Sequence, residues 1–232
     1  MSANFAHFEE LAWVETAMGE LTLRRRLEPT LGTEVYEVKL GEEYLMSSAF
    51  TVAEEELSHL GLAAVDRDDL DVLVGGLGLG YTAVAALADA RVRSVTVVDA
   101  LAPVIDWHRG HLLPVSAQLV ADPRTHLVHD DFFALIRRDP LRVYDALLVD
   151  IDHTPRHTLD PSHADLYTED GLRRLARHLA PGGVFALWSD DAPDDDFMAA
   201  LGRVFATTAA HVVPFENALT GGVSTNSVYV AQ

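Results

Sequence analysis

The stretch DVLVGGLGLGYT, residues 71–82, runs from an uninterrupted apolar segment through alternating glycines into a helical pattern. Val72, Leu73 and Val74 carry no polar interruption, as expected of a strand buried on both faces. Gly76, Gly78 and Gly80 let the backbone turn sharply and approach a bound group closely. A strand, a glycine loop and a helix in this order are the setting a nucleotide loop requires, although a tight turn alone also favours glycine.

On either side of this stretch the same alternation repeats. Apolar runs at 71–75, 94–99 (SVTVVD), 125–129 (THLVH), 145–150 (DALLVD) and 183–188 (GVFALW) read as strands. Helical patterns lie between them at Tyr81–Ala90, Ala102–Leu113, Phe132–Arg138 and Glu169–Leu179. Pro181-Gly182-Gly183 reads as the stop of one helix and the start of the next strand. After a helix at Asp194–Phe205, the runs His211–Phe215 and Ser227–Ala231 follow each other without a helix and so pair antiparallel. The result is an α/β fold, a seven-stranded, mainly parallel sheet with helices on both faces. Before residue 70 the pattern differs. Leu21–Leu23, Thr33–Lys39 and 42–46 alternate like half-buried strands, and 53–64 reads as a helix with acids early, where the helix dipole favours them. Residues 1–52 are therefore assigned to a small N-terminal β appendage and 53–232 to the main domain.

The 232 residues carry 17 basic and 36 acidic side chains, a net charge of −19. This charge repels phosphate backbones and anionic lipid, so neither a nucleic acid nor a membrane is expected as partner. Cysteine is absent, which removes thiolate metal sites, disulfides and cysteine nucleophiles. The opening MSANFAHFEELAWVE lacks a basic segment followed by an apolar one, and no apolar run approaches the about 18 residues of a membrane span. A soluble cytoplasmic protein is the expectation.

The chemistry gathers at the strand ends. Asp99 closes the second strand, placed to accept hydrogen bonds from ribose hydroxyls, with Ala100 beside it. Gly76, Leu77, Gly78 and Gly80 would line the same nucleoside. NAD and S-adenosylmethionine share this arrangement, but GLGLGY lacks the third glycine of the G-x-G-x-x-G spacing. Asp131 can accept the exocyclic amine of adenine while Phe132 covers the ring. Asp150 would stand beside a reactive carbon and hold or deprotonate an amine, with His153 as a second base. Carboxylates at strand ends also serve as helix caps. His153, His157 and His163, with Asp150, Asp152 and Asp160, contain metal-ligand types, but their loop-like spacing reads as a polar, substrate-facing loop; no metal is assigned. Asp194–Asp196 reads as the negative start of a helix.

These residues resemble the spermidine-synthase-like branch of the S-adenosylmethionine-dependent transferases. The likeness runs through GEEYLMSS and the acidic helix after it, VGGLGLGYT, VTVVDA, ADPRTHLVHDDFF, YDALLVDID and LYTEDGLRRLARHLAPGGVFALW. It implies a Rossmann-like sheet and a homodimer. It also implies that Gly76, Gly78 and Asp99 hold the cofactor's methionine part and ribose, Asp131 meets adenine, and Asp150 is the acid–base position. Tyr44 and Asp152 are the candidates for binding the acceptor. Where the family carries an Asp that pairs with the amine of decarboxylated S-adenosylmethionine, this chain has Leu79, which makes the ordinary cofactor more acceptable. The family's DSSDP-like segment is shortened to Asp150-Ile151-Asp152-His153. The Gln and Tyr that flank a polyamine channel have no clear match.

The resulting expectation is methyl transfer from S-adenosylmethionine to a small, amine-bearing acceptor. Aminopropyl transfer from decarboxylated S-adenosylmethionine to a polyamine and 3-amino-3-carboxypropyl transfer are the alternatives within the class. A non-catalytic, nucleoside-binding regulatory protein is the alternative outside it; that role would need the glycines and Asp99 but not Asp150.

Overall fold

The computed structural model describes residues 8–232; the first residues of the appendage and of the opening segment lie outside it. Two sheets are present. The first is an antiparallel meander of β1 (Phe8–Thr16), β2 (Gly19–Glu28), β3 (Thr33–Leu40) and β4 (Glu43–Ser47). Helix α1 (Val52–Ala63) leads from it into the second sheet. There, β5 (Leu70–Gly75), β6 (Val92–Asp99), β7 (Thr125–His129), β8 (Tyr144–Val149) and β9 (Leu179–Ser189) run parallel. Strands β10 (Thr208–Asn217) and β11 (Gly222–Ala231) form a terminal hairpin, with β11 antiparallel to β9. The order across this sheet is β10-β11-β9-β8-β5-β6-β7. Helices α2 (Tyr81–Ala88), α3 (Ala102–Arg109), α4 (Ser116–Ala121), α5 (Phe132–Arg137), α6 (Glu169–Ala176) and α7 (Asp195–Gly202) connect the strands. None is long and apolar enough to cross a membrane, among the described residues.

Successive side chains on a strand point to opposite faces, and each face of this sheet is buried. Val72, Val74, Val97, Ala146, Leu148 and Ala186 pack with residues of α1 to α4 on one side. Leu73, Val98, Leu147, Val149, Phe185 and Leu187 pack with residues of α5 to α7 on the other. This two-sided burial is why the strands read as continuous apolar runs. Leu21, Leu23 and Val38 of the first sheet belong to the same core as α1 and α2, so the appendage is welded to the main sheet by apolar burial.

Local differences from the sequence reading have physical causes. Helix α3 stops at Arg109 rather than Leu113, because Gly110 ends it and His111 takes a left-handed φ of 57°. Pro181-Gly182-Gly183 does not end a helix. Helix α6 already ends at Ala176, and β9 starts at Leu179. The β8–β9 ladder jumps from Tyr144–Leu179 to Ala146–Val184, so Ala180–Gly183 bulge outward with Gly182 at φ +72°. Asp194 caps α7 by accepting the Phe197 N–H at 2.8 Å, as the acidic run suggests.

Candidate active site

The parallel ladders bring the ends of β5, β6, β7 and β8 to one edge, where open α/β sheets bind ligands. Gly75 is level with Val98 on one side and Val149 on the other, and Asp99 is level with His129. Beyond those pairs the chain stays tied: the Gly76 N–H donates to Val98 O, the Asp150 N–H to Gly75 O and the Asp130 N–H to Asp99 O. The glycine loop therefore lies between Asp99 and Asp150. Gly76 has φ +92°, and a Cβ on it would stand 2.1 Å from the Asp150 carbonyl oxygen. Only glycine lets β5 and β8 leave the sheet this close together.

Asp99 is half-buried and holds the loop. One carboxylate oxygen accepts the Leu77 N–H at 2.9 Å and the other the Leu101 N–H at 2.7 Å. Burial pushes this carboxyl up from its ordinary value, while the amides of Leu101, Leu77 and Gly78 pull it back. Each oxygen has a further lone pair, the donor chemistry that two ribose hydroxyls satisfy. A cavity of about 270 Å³ opens beside it, walled by the β1–β2 turn (Thr16, Met18), Ala100 to Pro103, and His129. The acceptor, the glycine loop and the adjoining cavity suit a nucleoside. Leu77 contributes its backbone only, since its side chain is buried.

Asp150 follows β8 directly and accepts a hydrogen bond from the Thr82 hydroxyl at 2.9 Å. Burial raises its carboxyl to about 6, with the Thr82 bond opposing. Glu54, in the first turn of α1, is raised to about 8, chiefly by burial and then by the charge of Asp150, with Glu55 and Asp190 adding to it. Two partly buried carboxyls in one field oppose each other's ionisation, and here the charge of Asp150 holds Glu54 the higher of the two. Tyr81 sits in the same field; burial, Glu55 and Glu54 push its phenol up. Helix α1 is fixed in place by the Ser58 hydroxyl, which donates to the Thr82 carbonyl at 2.7 Å.

Several candidate residues are placed otherwise than the sequence suggests. Phe132 is buried beneath Gly75, in the core with Phe133 and Ile136, so it presents no open face to a base. Asp131 caps α5, accepting the Ala134 N–H at 3.1 Å; Asp130, one residue earlier, is the acid tied to Asp99. Asp152 is 1% exposed. One of its oxygens accepts from Leu159 N–H and pairs with His163 Nδ1, and the other accepts the Tyr167 hydroxyl, all at 2.8 Å. It anchors the loop after β8 and does not face an acceptor. His163 stacks on Phe133, with ring centroids 3.6 Å apart. His153 instead faces Glu43 of β4, with Nε2 3.1 Å from Oε1. Tyr44 is exposed, its hydroxyl accepting from Arg24 at 3.0 Å.

Leu79 is 5% exposed and belongs to the core. Its side chain points beneath the loop, so it cannot discriminate donors by charge. Glu54 was missed because an acid early in a helix has a sufficient explanation in the helix dipole. Nothing local in the sequence links it to Asp150.

No family model matches the chain. It is 32% identical over 146 residues to polyamine aminopropyltransferase 2 of Pseudomonas aeruginosa, covering 59% of this chain and 40% of that protein. It is 28% identical over 130 residues to putrescine N-methyltransferase 3 of Nicotiana tabacum, covering 56% and 32%. The chain thus spans less than half the length of these curated relatives. Among solved structures, spermidine synthase from Thermotoga maritima superposes with a TM-score of 0.73 at 19% identity, over 96% of this chain and 72% of that one. Human methyltransferase-like protein 13, solved in complex with SAH, gives 0.59 at 18% identity, over 78% and 82%. In sequence the chain is thus similar to polyamine aminopropyltransferases, and its fold is the Rossmann-like methyltransferase fold.

Proposed function

We propose that the protein transfers a carbon group from a sulfonium nucleoside, S-adenosylmethionine or its decarboxylated form, to an amine of a small polyamine. Aminopropyl transfer is the leading reading. The observation that carries it is the field between Glu54 and Asp150 at the end of β8, where burial raises both carboxyls and the charge of Asp150 raises Glu54 further, a penalty that a cationic amine would relieve. The likeness to a polyamine aminopropyltransferase supports that reading. Methyl transfer is the second reading. It is supported by the likeness to a putrescine N-methyltransferase and by the lack of a carboxylate in the glycine loop.

When bound, the donor supplies an electrophilic carbon on sulfur. The rest of the chemistry belongs to the chain. Asp99 would take the ribose hydroxyls, and the cavity along Ala100–Pro103 the base. The donor's tail would then run along the glycine loop, toward β8. Asp150 would align the amine and accept the proton it sheds, and Glu54 would hold the positive charge that precedes the transfer. Orientation of amine and carbon in one crevice supplies much of the rate.

Mass spectrometry of reactions containing putrescine and either donor separates the readings. An aminopropylated amine formed from the decarboxylated donor is the expected product. A methylated amine from S-adenosylmethionine supports the second reading. Absence of product from both donors across a panel of di- and polyamines overturns the proposal.

A further inference from the structure

His108 of α3 is fully buried, yet both ring nitrogens are bonded. Nε2 lies 3.0 Å from the carbonyl oxygen of Gly78, and Nδ1 lies 3.1 Å from the Ser116 hydroxyl. A carbonyl only accepts, so Nε2 must carry the proton. Nδ1 is then a lone pair that accepts from the Ser116 hydroxyl, whose oxygen accepts the Leu113 N–H at 3.2 Å. Burial pushes the ring's pKa down, which favours this neutral form. One tautomer thus satisfies the whole chain, from the start of α4 through α3 to the centre of the glycine loop.

The consequence falls on the loop. Gly78 has φ +48°, and its trans peptide sets the Leu79 N–H antiparallel to the Gly78 carbonyl. Pulling that carbonyl toward α3 turns the Leu79 N–H away from it. The third glycine is explained as well: a Cβ on Gly80 would stand 2.8 Å from Cε1 of His108, so the ring fits only beneath glycine. On the far side, Met46 of β4 lies against Gly78, with its sulfur 3.2 Å from where a Cβ would be. The loop is thus clamped between the imidazole and the first sheet.

We propose that His108 is a positioning residue that sets the Gly78–Leu79 peptide for the tail of the sulfonium nucleoside, while the nucleoside end is held by Asp99. The inference rests on the transferase reading above. It assigns the carbonyl side of the glycine loop to His108 and its amide side to Asp99.

The test compares S-adenosylhomocysteine, which carries the tail, with methylthioadenosine, which lacks it, by calorimetry on the intact protein. His108→Leu is expected to weaken S-adenosylhomocysteine about tenfold or more, with methylthioadenosine changed by no more than a few-fold. His108→Gln, which can still donate to the Gly78 carbonyl, should recover most of the loss. Ser116→Ala should give the same selective loss in smaller measure, and it carries the test if the Leu variant does not fold. Equal weakening of both ligands, or of neither, overturns the role. Failure of the unsubstituted protein to bind either ligand instead defeats the transferase reading itself.

Discussion

Asp150→Asn is expected to lower turnover by about 10²-fold or more, the scale of a lost general base, while donor affinity stays within a few-fold. Asn keeps the size of the side chain and can still accept from Thr82, so geometry is preserved and only the basic oxygen is lost. The unsubstituted protein should also lose kcat/KM as pH falls below about 6, because a protonated Asp150 no longer accepts the amine's proton. The Asn variant should lack that acidic limb. Unfolding does not account for such a loss. A carboxyl whose folded pKa is raised costs stability as pH climbs from its unfolded value to its folded one, and that cost persists above it. Removing the charge should therefore leave the melting temperature at neutral pH no lower than before. Turnover at the unsubstituted rate would make Asp150 a structural partner of Thr82, with His153 the next candidate base. Loss of the donor as well would place Asp150 in the binding site and leave its acid–base role without support.

Asp99→Ala should weaken S-adenosylhomocysteine by roughly one to two orders of magnitude, following the about 1.5–3 kcal/mol of a hydrogen bond to a charged group. The same change strips the Leu77 and Leu101 amides of their acceptor, so part of the loss would come from a slackened loop. Asp99→Asn separates the two effects. It leaves one carbonyl oxygen for an amide but cannot accept both ribose hydroxyls, so it should still bind more weakly than the unsubstituted protein. Unchanged calorimetric affinity in a folded Ala variant would mean that the nucleoside is not held at the end of β6.

The sheet was legible in the sequence because burial on both faces writes itself as unbroken apolar runs. The run at 125–129 coincides with β7, and the late pair at 211–215 and 227–231 lies within β10 and β11. Element ends were less legible. The bulge at Ala180–Gly183 and the left-handed His111 depend on neighbours that no local pattern encodes. The strand β1 passed unnoticed because most of it is exposed or half-buried, with Phe8 and Trp13 facing outward. At the site, glycines and strand-end acids could be placed from the sequence, since topology alone carries Asp99 and Asp150 to one edge. Side-chain direction could not. Leu79, Phe132 and Asp152 turn into the interior, Glu54 feels the charge of Asp150, and His108 bonds the Gly78 carbonyl, each distant in sequence. Those depend on how α1 and α3 settle on the sheet, which only the packed structure displays.

The edge formed by β5, β6 and β8 is the proposed seat of a sulfonium nucleoside. Its most direct test is calorimetric titration of the unsubstituted protein with methylthioadenosine, with NAD as the competing dinucleotide. Saturable binding of methylthioadenosine that NAD does not displace is expected; binding of NAD with no heat from methylthioadenosine would make this edge a dinucleotide site instead.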